Sequence, residues 1–269
     1  MAKMCNLYDA TRCTACRGCV VACKNWNQLP AVIEPFEGNF DTHKGDTRAH
    51  TYTIIQFHED EDIFGPKWYF RKHQCMHCEY PACVEVCPRG ALTKTEWGAV
   101  VKDYQKCIGC QYCVYACPFG IPKYDKAKDM VTKCTMCAER VEAGLIPACA
   151  KTCPSGALKF GRRDELQAEA RERVKYLRAN GYPRATIYGE LELGGLNNIY
   201  ILGDVPEKYG LPSNPKVSSV IPAWQKVIQP WFGLLIPLAL AGSAVSFVTT
   251  RLLSKGEHGE HQEGGASHD

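Results

Sequence analysis

Across 269 residues there is no Gly-rich nucleotide loop, no nucleophile motif and no open-site metal pattern, so the chain carries no visible substrate chemistry of its own. Neither sign of charge dominates. Thirty-two basic residues stand against 29 acidic ones, a net charge of +3, and so small an excess excludes the basic footprint of a nucleic-acid partner. Met1 to Ala10 contains no apolar stretch of the kind a secretory signal needs, so folding is expected in the cytoplasm.

Cysteine breaks this plainness. Of 17 cysteines, sixteen fall into four runs of four. Run one is Cys13, Cys16, Cys19 and Cys23; run two is Cys75, Cys78, Cys83 and Cys87; run three is Cys107, Cys110, Cys113 and Cys117; run four is Cys134, Cys137, Cys149 and Cys153. The last three runs end in Cys-Pro, at Pro88, Pro118 and Pro154. This is the bacterial ferredoxin spacing, with one longer gap in runs two and four. Each iron of a 4Fe–4S cubane needs one soft anionic ligand, and a thiolate supplies it. Cysteines at two-residue spacing wrap a tight loop around three corners of the cube, while the fourth reaches the other cluster of a pair. Zinc would use as many thiolates, but its sites show well-separated CxxC pairs. Neighbours two residues apart also make a poor disulfide framework. Sixteen ligands make four 4Fe–4S clusters, and four in one chain serve to conduct single electrons. Their assembly requires reducing conditions, in keeping with cytoplasmic folding. Cys5, left over, reads as a small buried apolar group.

Runs work in twos. Only 19 residues separate Cys87 from Cys107, whereas 51 separate Cys23 from Cys75. The simplest arrangement is therefore nested, run two with run three and run one with run four around them. The ligand sets are then Cys13, Cys16, Cys19 and Cys153 (quartet I); Cys23, Cys134, Cys137 and Cys149 (quartet II); Cys75, Cys78, Cys83 and Cys117 (quartet III); and Cys87, Cys107, Cys110 and Cys113 (quartet IV). Sequential pairing, one with two and three with four, is the alternative. Bound cubanes are anionic, so Lys102, Lys106, Lys123, Lys133 and Lys151 either offset them or are ordinary solvated surface.

The expected fold is α+β: two ferredoxin-like domains, each binding two 4Fe–4S clusters, plus one C-terminal transmembrane helix. Residues 1–23 and 118–205 make the first domain with a helical extension, and 24–117 an insertion and the second domain. A linker over 206–230, a transmembrane helix over 231–250 and a polar tail over 251–269 follow. Within the insertion, Glu34 to Asp46 reads as a loop, His50 to Phe57 as a strand and Lys67 to Arg71 as its partner. Ala99 to Val101 is a short strand after a turn at Gly98. Leu166, Ala170, Val174 and Leu177 form a helical stripe within Asp164 to Asn180, with acids at its start, bases near its end and Gly181 as a stop. Short strands are expected near Ala185–Tyr188 and Asn198–Leu202.

Trp231 to Thr250 is a 20-residue stretch without a charge. At ~1.5 Å per residue it spans about 30 Å, one hydrocarbon core. Trp224 and Trp231 stand where interfacial anchors would, and Gly233, Pro237 and Gly242 are tolerated in lipid. Lys216 and Lys226 before the stretch and Arg251 and Lys255 after it leave its orientation open. The tail holds His258, His261 and His268; it reads as solvated, with metal binding the alternative.

Over residues 1–160 the four runs resemble the iron–sulfur subunits of molybdenum and tungsten bis-pterin oxidoreductases. Arg71–Cys78 (RKHQCMHC), Lys133–Cys153 (KCTMCAERVEAGLIPACAKTC), Arg173–Tyr188 (RVKYLRANGYPRATIY), Tyr209–Pro215 (YGLPSNP), Trp224 and the single C-terminal helix narrow the likeness to the β subunits of membrane-bound respiratory formate dehydrogenase. Relatives of nitrate reductase type replace a third-run cysteine with tryptophan; here that run is complete. The resemblance implies an electron-transfer subunit without a catalytic site. It implies a molybdopterin or tungstopterin catalytic α subunit, a cytochrome b-type membrane γ subunit, quinone beyond it and the lipid bilayer as partners. It also implies a single-pass protein of the cell membrane with its cluster domain on the periplasmic side. The relay of a polysulfide or dimethyl sulfoxide reductase is the alternative. The sequence departs from these relatives in lacking an N-terminal extension, in the small residues of its C-terminal helix and in its tail.

Overall fold

The computed structural model describes residues 2–31, 33, 45–62 and 65–257. The loop expected over 34–46 lies, for 34–44, outside them, as do residues 258–269 with His258, His261 and His268. In chain order the elements are β1 (Met4–Asp9), α1 (Gly18–Trp26), β2 (Ile54–Asp62), β3 (Gly65–His73), α2 (Ala82–Glu85), β4 (Leu92–Lys94), β5 (Val100–Lys102), α3 (Tyr112–Ala116), β6 (Lys123–Asp125), β7 (Met130–Thr132), α4 (Ala138–Glu142), α5 (Ala148–Lys151), β8 (Leu158–Arg162), α6 (Arg163–Ala179), β9 (Thr186–Tyr188), β10 (Asn198–Leu202), α7 (Val220–Ala223) and α8 (Gln229–Glu257). Residues 1–218 form one compact unit and 219–269 another.

One four-stranded sheet, in the order β8-β1-β10-β9, holds the first unit together. β1 runs parallel to β10 and antiparallel to β8, so the first and last strands of this unit lie side by side. Period-two alternation divides the sheet's faces. Cys5 and Leu7 of β1, with Ile199 and Ile201 of β10, pack against Leu166, Ala170, Val174 and Leu177 of α6, the stripe read from the sequence. Burying each of the larger side chains stabilises the layer by about 1.5–3 kcal/mol. The opposite face carries Tyr8, Tyr188 and Tyr200. Their hydroxyls donate to the carbonyls of Phe70, Pro212 and Lys72, at 2.8, 2.9 and 2.8 Å, which satisfies the polar tip of each buried ring.

The remaining strands form three hairpins, β2-β3, β4-β5 and β6-β7. In the first, β2 begins four residues later than the sequence suggests while β3 contains the expected partner 67–71, and the ladder pairs Ile54 with His73 and Asp60 with Lys67. The acidic stretch extends the strand because a basic residue faces it across the ladder. Residues 206–230, read as linker, are not uniform. Pro206–Tyr209 form a 3₁₀ turn whose Tyr209 is buried, with Leu211 beyond it. The Tyr209 hydroxyl accepts the Gly203 N–H at 3.0 Å, and Arg71 Nη1 donates to the Gly210 carbonyl at 2.5 Å. The prolines there shape a docked turn rather than a spacer.

In the second unit, Val220–Leu252 is long and apolar enough to cross a membrane by length and composition. Pro237 lies inside α8. The helix hydroxyls bond back to its own carbonyls: Ser243 to Leu240 at 2.9 Å, Thr249 to Val245 at 3.0 Å and Thr250 to Ser246 at 2.7 Å. Back-bonding of this kind satisfies these hydroxyls within the helix itself.

Candidate iron–sulfur centres

Each of the four runs folds into a loop that leads into a short helix, and run four carries a second helix in its long gap. In each, the residue just before the second cysteine has a left-handed backbone: Ala15 at φ 51°, His77 at 48°, Gly109 at 67° and Met136 at 59°. Three of these are not glycine, and such a conformation costs an L-residue energy that something nearby must offset. What it achieves is visible in two runs. The Ala15 N–H donates to Cys13 Sγ and the Met136 N–H to Cys134 Sγ, both at 3.4 Å. Successive N–H groups turned inward make a nest for an anion. The same arrangement serves Cys107. Burial works against its ionisation, but the N–H groups of Val131 and Gly109 and the Lys102 ammonium outweigh it and lower the thiol's pKa.

The Cys-Pro step has a physical role. Proline forces the preceding residue extended, and Cys117, at ψ 116°, ends α3. The chain then turns so that the N–H groups of Ile121, Phe119 and Gly120 face the Cys117 sulfur. Run one lacks the proline, and its helix α1 continues past Cys23 to Trp26.

Space groups the cysteines by fours. One cavity is bordered by Cys13, Cys16, Cys19 and Cys153, a second by Cys23, Cys134, Cys137 and Cys149, a third by Cys87, Cys107, Cys110 and Cys113. The remaining four stand together as well. Burial pushes the Cys78 thiol up, and Cys75, Cys117 and Cys83 beside it push it further. Helix α1 of run one packs on α5 of run four, and α2 of run two on α3 of run three. Among the described residues no three Cys, His, Asp or Glu side chains converge closely enough to hold a single ion. A zinc site would require that convergence at about 2.3 Å from one centre; a cubane, whose irons sit at separate corners, needs the thiols spread around a cavity. The thiol chemistry and the spacing thus fit 4Fe–4S clusters, and Arg17 Nη2, beside the first cavity, is a buried donor without a protein partner.

Burial grades the sites. Cys16 and Cys110 are exposed, so quartets I and IV reach the surface. Cys134 of the second is pushed up to about 12, first by burial and then by the charge of Cys75 from the third, with Lys72 opposing. Cys5 belongs to none of them. It is fully buried against α6, and burial, partly offset by Arg163, raises its thiol to about 12. Of the lysines read as possible counter-charges, Lys102 and Lys133 are buried. Lys106 is exposed and Lys123 pairs with Asp46 at 2.5 Å. Lys72, wholly buried, gave no sign in the sequence, because it stands in a hairpin strand and not in a run.

Gly109 permits a prediction. A Cβ there would strike the Asp129 carboxylate and come within 2.8 Å of its carbonyl oxygen. Asp129 is itself held by the Tyr124 hydroxyl at 2.6 Å, so it cannot simply swing aside. Gly109→Ala is expected to cost the protein one cluster's share of its iron and leave the rest, as measured by iron and labile sulfide per chain.

Loops that cradle thiols with inward N–H groups, repeated in ferredoxin fashion, define an electron-transfer protein built on 4Fe–4S domains. Residues 12–91 and residues 66–163 each match a family model described as a 4Fe-4S dicluster domain. These matches follow the order of the runs along the chain, whereas the cavities join run one to run four. The chain is 39% identical over 250 residues to the "Formate dehydrogenase, nitrate-inducible, iron-sulfur subunit" of Escherichia coli (strain K12), covering 91% of this chain and 82% of that one. It is 37% identical over 252 residues to the "Formate dehydrogenase-O iron-sulfur subunit" of the same strain, covering 92% and 81%. To the "Hydrogenase-2 operon protein HybA" of Escherichia coli O157:H7 it is 33% identical over 297 residues, covering 98% and 88%. The chain belongs to the family of formate dehydrogenase iron–sulfur subunits. It is an electron-transfer subunit; the matched domains support four 4Fe–4S clusters, and no catalytic domain is indicated.

Proposed function

We propose that this chain is the relay of a membrane-bound formate dehydrogenase, taking electrons from a molybdopterin or tungstopterin catalytic subunit to a cytochrome b-type subunit and quinone. The observation that carries the reading is a continuous series of thiol quartets with an exposed cysteine at each end. Quartet I neighbours quartet II through Cys19 and Cys149, quartet II neighbours III through Cys134 and Cys75, and III neighbours IV through Cys83 and Cys113. In this reading the ligands are the nested sets: Cys13, Cys16, Cys19 and Cys153; Cys23, Cys134, Cys137 and Cys149; Cys75, Cys78, Cys83 and Cys117; Cys87, Cys107, Cys110 and Cys113. When bound, the clusters supply reversible one-electron storage. The chain's own residues bind and space them, exclude water from the middle pair and turn N–H groups on the sulfurs. Cys16 and Cys110 mark the two faces where partners would exchange electrons.

Residues 1–23 and 118–205 would form one ferredoxin-like domain and 24–117 the insertion with the other, each holding two clusters. Helix α8 would anchor the chain in the bilayer beside the haem subunit, with the clusters on the periplasmic side. The hydrogenase operon relative supports a second reading, in which the same relay is fed by a different catalytic subunit. The test is to isolate the complex from membranes by a tag on this chain and to follow haem b anaerobically. Reduction by formate and not by hydrogen is expected; the reverse would move the chain to the second reading.

A further inference from the structure

A fully buried ammonium needs a compensating charge, since removing it from water costs several kcal/mol. Lys72, in β3, is 0% exposed. Its Nζ donates to Thr53 Oγ1 at 2.7 Å and to Gln74 Oε1. Both acceptors are neutral, and no carboxylate among the described residues forms an ion pair with it. Thr53 and Gln74 are themselves part of the wall of the cavity bordered by Cys23, Cys134, Cys137 and Cys149. The ammonium therefore stands directly behind that wall. Its field falls on Cys19 of quartet I and on Cys23 and Cys134 of quartet II, where it opposes the effect of burial. The other two buried lysines act on other quartets, Lys102 on Cys107 of quartet IV and Lys133 on Cys83 of quartet III. Lys133 Nζ donates to the carbonyls of Val100 and Cys134, and Lys102 Nζ to that of Val131, 4.3 Å from the Tyr104 ring centre.

We propose that Lys72 is the counter-charge of the quartet II cluster and holds its reduction potential above the value that the same four cysteines would give alone. A fixed cation stabilises the reduced, more negative form of an anionic centre, and net charge is one of the levers that set cluster potentials. The inference rests on the cluster assignment above. Lys72 is a positioning residue for charge, with no contact to substrate.

The test is an anaerobic redox titration of the membrane complex followed by electron paramagnetic resonance, with iron and labile sulfide measured on each sample. The quartet II signal is the one that Cys137→Ala removes. In Lys72→Met its midpoint is expected to fall by at least tenfold in equilibrium constant, 59 mV for a one-electron couple, while Lys72→Arg stays near the parent. Should Lys72→Met fail to load its clusters, Gln74→Glu keeps the shape of the wall and pairs the ammonium with a carboxylate; the same midpoint is expected to fall. Full iron with unmoved midpoints in either variant would overturn the proposal and leave the relay reading standing. A parent chain without iron would overturn the relay reading first.

Discussion

Cys134→Ser will cut the relay in its middle. Cys134 is half-buried in quartet II and is the thiol whose charge is felt together with that of Cys75 in quartet III. Serine is nearly the same size, so the sheet and hairpins keep their packing, but its hydroxyl is a hard and weakly acidic ligand for an iron that wants a soft thiolate. Transfer from formate to quinone is expected to fall by more than roughly 100-fold, beyond the ~10–100-fold that substitutions around a metal site cost without touching its ligands. Reduction of a small soluble dye by formate should survive, because that dye can take electrons before the break. The two assays on one membrane preparation check it. Equal losses in both would mean that the substitution had unfolded the subunit, and equal survival that electrons do not pass this way.

Ending the chain after Ser218 carries the second large effect. Residues 1–218 form a compact unit on their own account, and the sheet that closes it is complete at Leu202, with the Tyr209 turn docked on it. Removing Val220–Leu252 takes away the only described stretch apolar enough to span a bilayer. The truncated chain is expected to keep its full iron content. Most formate-to-dye activity should move from the membrane to the soluble fraction, and formate-to-quinone transfer should fall to the background of the assay. A truncated complex that stays on the membrane and still reduces quinone would show that α8 is neither anchor nor docking element.

The chemistry was legible because cysteine spacing is a local code. Each run states its own loop, and the short distance from Cys87 to Cys107 is what suggests nesting; three cavities are each bordered by four cysteines. The stripe on α6 was equally plain, since it is periodic over its length, and a strand lies at Asn198–Leu202 where one is expected. Other features left no local mark. Three of the four left-handed residues before the second cysteines are alanine, histidine and methionine, so no glycine announces them there; N–H groups turn towards sulfur at Ala15 and Met136. Prolines at 206 and 212 suggested a spacer, yet Tyr209 and Leu211 between them bury themselves in the core. Lys72 looks like any strand lysine until β2 is laid beside it and Thr53 and Gln74 close over its ammonium. The docked turn and the Lys72 site depend on contacts such as Arg71 with Gly210 and Lys72 with Thr53, between residues far apart in sequence, which spacing cannot express.

The most direct test of the relay is electron paramagnetic resonance on the complex isolated through this chain, before and after anaerobic formate, with spins counted per chain against a dithionite-reduced control. The account predicts signals of reduced 4Fe–4S clusters on formate alone, a dithionite total of four clusters, and the loss of one cluster's spins in Cys134→Ser. Clusters that stay oxidised with formate while dithionite reduces them would contradict the formate assignment, and a colourless chain without labile sulfide would contradict the relay itself.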